Sequence, residues 1–414
     1  MERKNCWKQY SDKRLNKMEE YTKEYMHFLN HSKTERECAD TVVNLVEKEG
    51  FTDLAALVRD KKKLKAGDKV YATWMNKAVI LCRIGEKPME EGMNIVASHI
   101  DSPRLDIKPN PLYENTGVAY LDTHYYGGIK KYQWVTLPLA IHGVVVKKDG
   151  ITEEICIGED KDDPVVFISD LLPHLSQEQQ EKKASELFGG EALDIVFGNR
   201  PMVKKGDEKE EKEAVKAQIL RLLEEMYDMK EEDFLSAELE VVPAGKAREA
   251  GLDRSMIMAY GQDDKVCAYA AIHALLHAKK LARTSVVMLT DKEEIGSVGA
   301  TGMGSLFFEN TIAEIAARTG LESPLALRRI LAASRMLSSD VSAGFDPAYA
   351  SVFETKNAAY LGKGLVFNKY TGARGKSGSN DARAEYVAYV RRVMDDAEVS
   401  FQTAELGKVD AGGG

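Results

Sequence analysis

TSVVMLTDKEEIGSVGATGM, residues 284–303, is the stretch from which the fold follows. Its first part is a run of apolar or near-apolar residues, two of them β-branched valines. It is too short for a helix and reads as a strand buried on both faces. The run then breaks into DKEE and a glycine-rich turn. The spacing predicts helices on either side, at Val266 to Lys280, Leu325 to Met336 and Asp381 to Met394. Upstream, Met75 to Ile84 (MNKAVILCRI) and Met93 to Ser98 (MNIVAS) read as further strands. Thr34 to Glu49 reads as an amphipathic helix. Its Ala39, Val42, Val43 and Val46 recur at helical spacing, and Gly50 follows as a stop. Helix alternating with buried strand predicts an α/β fold with a mostly parallel sheet and helices on both faces.

Between Arg104 and Val242 the pattern changes. Strand-like stretches such as WVTLPLAIHGVVVKK (134–148) alternate with loops rich in Gly and Pro. The charged GDEKEEKEAVKAQILRLLEEMYDMKEED (206–233) predicts an exposed helix with i,i+4 charge pairs. We therefore expect a β-rich domain at 104–242, inserted between two parts of one α/β domain at 1–103 and 243–414.

The 414 residues allow two or three domains. A net charge of −9 argues against nucleic acid as a partner, since phosphate binding needs a basic face. The five cysteines, Cys6, Cys38, Cys82, Cys156 and Cys267, are odd in number and lack C-x-x-C spacing. That fits reduced thiols in the cytoplasm. The charged N-terminus, MERKNCWKQYSDKRLNKMEE, has no signal-peptide core. No apolar run approaches the ~18 residues of a membrane helix, so no membrane association is expected.

Four short clusters carry chemistry, each at a strand end or in the loop after it, where ligands collect in open α/β sheets. His99 in ASHIDSPRLD follows the MNIVAS strand, and Asp101 stands two residues on, able to orient a ligand imidazole. Asp263 and Asp264 in GQDDKVCAYA precede a helix, where they cap its dipole or bridge two cations. Glu293 and Glu294 are adjacent, and on an extended segment they point apart. One is then free to bind metal and the other to face a reacting water. The following GSVGATG lacks the Walker Lys-Ser/Thr ending, which disfavours a phosphate loop. Asp340 in SSDVSAGFDPAY is the fourth. Alone, each has an ordinary structural role: a strand-end hydrogen bond, a helix cap, a solvated turn. Together, in this order on an α/β scaffold, they form the ligand set of a cocatalytic metal hydrolase.

At HIDSPRLDIKPNPLYE, LDTHYYGGIKKYQW, DKEEIGSVGATGM, FNKYTGARGKSGSNDA and QTAELGKVDAGGG the sequence resembles the aspartyl aminopeptidase and aminopeptidase I family of zinc exopeptidases, its clostridial-type bacterial members above all. The resemblance runs from about residue 20 to the end. It implies that the N-terminal peptide bond of peptides is hydrolysed by a water activated at two Zn²⁺ ions per subunit; carboxylate-rich two-metal sites also accept Mn²⁺ or Co²⁺. By it His99 binds one metal and Asp263 bridges both, because the family's acidic pair places the bridging ligand first. Glu294 and Asp340 bind one metal each, Glu293 is the general base, and Asp101 orients His99. It also implies a homo-oligomer of dimers assembling to a dodecamer, in which His174 (DLLPHL) is the candidate to complete a neighbouring subunit's site. Lys369 and Arg374 form either a cationic pocket for an acidic N-terminal residue or a solvated basic loop. Acidic or neutral N-terminal residues are the expected preference.

The family's last ligand is a histidine beyond a glycine-rich segment. Here the final histidine is His277, and Gly412, Gly413 and Gly414 come last. The sequence as given is thus expected to lack that ligand, bind its metals unequally and show little activity. Two other classes stay open: a non-catalytic assembly scaffold derived from such an enzyme, and a two-metal deacylase of N-acyl amino acids.

Overall fold

The computed structural model describes residues 4–202, 212–371 and 381–411. The start of the charged 206–233 stretch, Arg374 and the three terminal glycines lie outside the described residues. The elements, in chain order, are α1 (Asp12–Asn30), α2 (Glu35–Lys48), β1 (Thr52–Asp53), α3 (Leu54–Arg59), β2 (Lys69–Trp74), β3 (Ala78–Arg83) and β4 (Asn94–His99). There follow β5 (Arg104–Asn115), β6 (Val118–Tyr126), β7 (Leu139–Val146), β8 (Thr152–Ile157), α4 (Gln177–Gln180), β9 (Ile195–Gly198), α5 (Ala214–Tyr227) and β10 (Ala237–Pro243). The remainder is β11 (Arg248–Ala250), β12 (Met256–Met258), α6 (Gln262–His277), β13 (Ser285–Thr290), α7 (Phe307–Arg318), α8 (Pro324–Ala333), β14 (Arg335–Ser338), β15 (Leu365–Asn368), α9 (Ala384–Asp396) and β16 (Phe401–Ala404).

The chain divides into two compact units, one of residues 25–339 and one of residues 1–24 with 340–414. The larger unit holds two six-stranded sheets. The first has the order β1-β2-β3-β13-β4-β14. β4 runs parallel to both β13 and β14, whereas β3 is antiparallel to β2 and to β13. Alternate residues Val286 and Met288 of β13, with Ile80, Ile95 and Ala97, pack with Leu54 and Leu57 of α3, Ile312 and Ile315 of α7, and Ile330 of α8. The intervening Val287, Leu289, Val79 and Leu81 are equally buried. α2 and α6 lie against the sheet as well. Burial on both faces is why β13 reads as an unbroken apolar run. α2 opens with a capping box, in which Thr34 accepts from the Glu37 N–H and Glu37 accepts from the Thr34 N–H.

The second sheet, β8-β7-β10-β5-β6-β9, is antiparallel throughout. Leu105, Leu121, Ile141, Ile195 and Val241 form its core with Val215, Ile219 and Leu223 of α5. α5 is thus an amphipathic helix buried along one stripe, not the exposed helix its charges suggest. The sequence also reads helix through Met336, but Pro324–Ala333 ends the helix and Arg335–Ser338 is the edge strand β14. In the smaller unit, β15 pairs in parallel with β16. The Gln402 side-chain amide there donates to the carbonyls of Tyr360 and Gly364 and accepts from the Tyr360 N–H.

Candidate metal centre

His99 is the last residue of β4 and Thr290 its register partner on β13, so the two parallel strands end side by side. The loops that leave them carry Asp101 and the Glu293–Glu294 pair. The His99 ring is buried. Its Nδ1 lies 3.0 Å from the Asp101 carbonyl oxygen and 3.2 Å from Asp101 Oδ1. Its Nε2 faces Asp263 Oδ1 at 3.1 Å and Glu293 Oε2 at 4.0 Å. The ring is therefore held from behind and presents Nε2 to carboxylates, the arrangement a metal-binding histidine needs.

Asp263 stands at the start of α6, where Asp263 and Asp264 depart from helical geometry and the peptide between them is cis. The neighbours differ in burial: the Asp264 side chain is fully enclosed, whereas Asp263 is 48% exposed. The Ser102 hydroxyl donates to the Asp263 carbonyl at 2.7 Å, and Lys265 Nζ donates to Ser102 Oγ at 2.9 Å. Lys265 is itself fully buried, and that burial lowers its ammonium below the usual lysine range.

Glu293 and Glu294 lie on a short 3-10 turn, Glu293–Ile295, rather than on an extended segment. They consequently do not point to opposite sides. His99, Glu293 and Glu294 each offer a ligand atom within 4.8 Å of the others'. Burial, then the Asp263 carboxylate, push the Glu294 carboxyl up to about 7. Crowded carboxylates around one imidazole nitrogen are a donor set that suits Zn²⁺, and a cation relieves their repulsion. The residues of the larger unit fit the ion.

Asp101 is completely buried and accepts three further hydrogen bonds. They come from the Tyr126 hydroxyl to Oδ2 at 2.7 Å, the Glu293 N–H to Oδ1 at 3.2 Å and the Glu294 N–H to Oδ2 at 3.2 Å. Burial acts to raise its carboxyl. The hydrogen bonds with His99 and Tyr126 outweigh that and hold it below the usual carboxylate range. Tyr126 ends β6, so the second sheet reaches this site. Gly127, at φ +75°, follows it. A Cβ there would lie 3.1 Å from Glu294 Cβ and 3.4 Å from Glu294 Oε2, so glycine makes room for Glu294. Tyr126, Gly127, Ser102 and Lys265 all fall in motifs readable in the sequence, yet nothing in their spacing gives them these contacts.

Asp340, Lys369 and His174 are the remaining expected site residues. Asp340 opens the second stretch of the smaller unit and accepts from the Val341 N–H at 2.6 Å. Lys369, in the same unit, is exposed beside the Tyr370 ring at 5.0 Å. His174 is exposed on a 3-10 turn, Pro173–Leu175.

The chain matches the family model described as aminopeptidase I zinc metalloprotease (M18) over residues 28–414. It is 55% identical over 413 residues to a probable M18 family aminopeptidase 1 from Clostridium acetobutylicum, covering 100% of this chain and 88% of that one. The crystal structure of the M18-family aminopeptidase from Thermotoga maritima superposes with a TM-score of 0.93 at 46% identity, over 100% of this chain and 89% of the other. The S. cerevisiae mApe1 dodecamer, at 19% identity and TM-score 0.73 over 94% of this chain and 85% of that one, shares the fold.

Proposed function

The chain belongs to the M18 family of aminopeptidase I zinc metalloproteases, and from that premise we propose that it removes N-terminal residues from peptides at a two-zinc centre with Glu293 as general base. The observation that carries this reading is His99, held by Asp101 on one nitrogen and facing Asp263 on the other, with both glutamates alongside. His99, Glu294 and Asp263 would hold the two zinc ions, with Asp263 contributing to both. Asp340 adds the ligand that the sequence resemblance implies. When bound, zinc polarises the scissile carbonyl and makes a water more acidic. Glu293, its side chain 45% exposed, accepts the proton of that water on a carboxylate oxygen and returns it to the departing amine nitrogen. Asp101 keeps the His99 Nε2 turned toward the site.

Carboxylate-rich centres also accept Mn²⁺ or Co²⁺, so either ion should substitute for zinc. A homo-oligomer built from dimers is the assembly that the sequence resemblance implies, and the yeast mApe1 structure is a dodecamer. In such an assembly His174 reaches a neighbouring subunit's site. The preferred N-terminal residue is acidic or neutral, and Lys369 is the candidate to meet an acidic side chain. Five cysteines in the thiol form support a cytoplasmic location. No helix among the described residues is long and apolar enough to cross a membrane.

The test is a panel of Asp-, Glu- and Leu-anilides with their N-acetyl counterparts, assayed before chelation, after chelation and after zinc is returned. Zinc-dependent release from the free amines alone is expected. Equal turnover of the acetylated compounds would replace the aminopeptidase reading with that of a deacylase.

A further inference from the structure

Beneath the metal centre lies a buried network that the reaction as described does not use. Arg104, the first residue of β5, is buried. Its Nη1 is 3.3 Å from Glu35 Oε2, and its Nε lies 2.8 Å from Asp106 Oδ1 and 3.1 Å from Glu240 Oε2. Lys77 Nζ meets the other Glu35 oxygen at 3.2 Å. With three carboxylates around it, the guanidinium has little freedom to move. It stacks on the Tyr126 ring, 3.9 Å from the centroid, and Lys292 Nζ lies 5.4 Å from the same centroid. Both cations are attracted to the face of the ring, which helps to hold it in place. The Tyr126 hydroxyl points at Asp101 Oδ2, and an ionised acceptor makes the bond charge-assisted.

Asp101 is the joint on which the site turns. One of its oxygens meets His99 Nδ1 and the Glu293 N–H, and the other meets the Tyr126 hydroxyl and the Glu294 N–H. An ionised carboxylate has about four lone-pair sites, and here all are engaged. A rotation of Asp101 would therefore move the imidazole and the glutamate turn together. Tyr126 is the side chain from the second sheet that fixes Oδ2.

We propose that Tyr126 is a positioning residue of the metal centre: its hydroxyl, braced by Arg104, fixes Asp101 and thereby sets how tightly the site holds zinc and how well Glu293 is aimed. The proposal rests on the reading of His99 and Glu294 as zinc ligands. It assigns to the second sheet a part in the chemistry that is separate from any part in assembly.

The test uses the zinc-loaded enzyme and Tyr126→Phe, which removes one oxygen and keeps the ring on Arg104. Chelator competition should show zinc held about tenfold more weakly, the scale of losing one hydrogen bond to a charged group in a ligand's outer shell. At saturating zinc, kcat should fall while KM stays near the parent value. In an Asp101→Ala background, Tyr126→Phe should have no further effect on zinc affinity, because the group it acts through is gone. Zinc affinity and kcat both within about twofold of the parent would overturn the proposal. So would an undiminished effect in the Asp101→Ala background. His99→Ala serves as the separate check. If it keeps its zinc, the ligand reading itself is wrong. If it loses zinc while Tyr126→Phe does not, only the positioning role falls.

Discussion

Asp263 and Asp264 are chain neighbours in opposite environments. Asp264 is enclosed, and Asp263 presents Oδ1 to His99 Nε2 at 3.1 Å. Asp263→Ala should therefore lose bound zinc with little change in the stability of the metal-free fold. Asp264→Ala should do the reverse, costing about 1–3 kcal/mol for disturbing a buried polar group. Metal analysis and urea unfolding of both variants decide it, and the opposite ranking would exchange their roles. The glutamates divide differently. Glu293→Gln should keep its zinc and lose about 10²–10⁴-fold in kcat, the usual cost of a missing general base. Glu294→Gln should lose zinc, and a Glu293 variant that loses zinc instead would reverse the assignment. His99 and the glutamate pair are readable because each follows a strand, β4 or β13, and Asp263 and Asp264 because they open a helix. Tyr126 and Lys265 are not. Their partners, Asp101 and Ser102, lie 25 and 163 positions away, and only the folded sheets bring them together.

Among elements, β4, β13 and α2 are readable because periodicity, strand length and a capping box agree over the same residues. β14 is not, since its four residues carry too little pattern to separate them from the helix that precedes them. Nor does a sequence show what α2 packs against. Its Glu37 lies 2.7 Å from Nδ1 of the buried His142 on β7, and Glu159, after β8, lies 3.2 Å from Nε2. Lys33 pairs with Glu159 at 3.4 Å, Cys156 on β8 is the register partner of His142, and Glu240 stands opposite on β10. Burial alone would lower the imidazole. Hydrogen bonding with Cys156, Glu159 and Glu37 overcomes this and lifts it to about 11. Glu37 and Glu159, despite burial, are held below the usual carboxylate range by His142. A histidine raised in the folded state stabilises fully below its unfolded value near 6.5, and the benefit declines as pH climbs toward the folded value. His142→Gln should thus cost about 3 kcal/mol at pH 6, as expected for one member of a buried charge cluster. The deficit should narrow at pH 7.5 and again at pH 9. Urea unfolding of both proteins at the three values tests this, and a deficit that widens with pH would show that His142 folds uncharged.

At the scale of the molecule, the sequence pattern marks the change of character at residue 104, whereas the division at Asp340 emerges from the folded contacts. The pattern also suggests that residues 104–242, being β-rich, form a separable assembly module whose open edges invite pairing. The contacts argue for a second role. Excising 104–242 removes Arg104 and Glu240, leaving Glu35, fully buried, with Lys77 as its remaining partner in the network. It removes Tyr126 from Asp101 and Gly127 from beside Glu294. It also removes His142, and with it the charge opposite Glu37. A buried ion that loses its partner costs about 3–5 kcal/mol, which is a large share of the 5–15 kcal/mol that holds a domain folded. Replacing 104–242 with a short linker should therefore lower the order of assembly and also abolish zinc retention, leaving a protein that aggregates as it unfolds. Light scattering reports the first effect, and metal analysis of the soluble fraction reports the second. A small, monodisperse species that still carries the parent's zinc would mean that the second sheet serves assembly alone, and that the network running from Glu35 through Arg104 and Tyr126 to Asp101 has no hold on the metal centre.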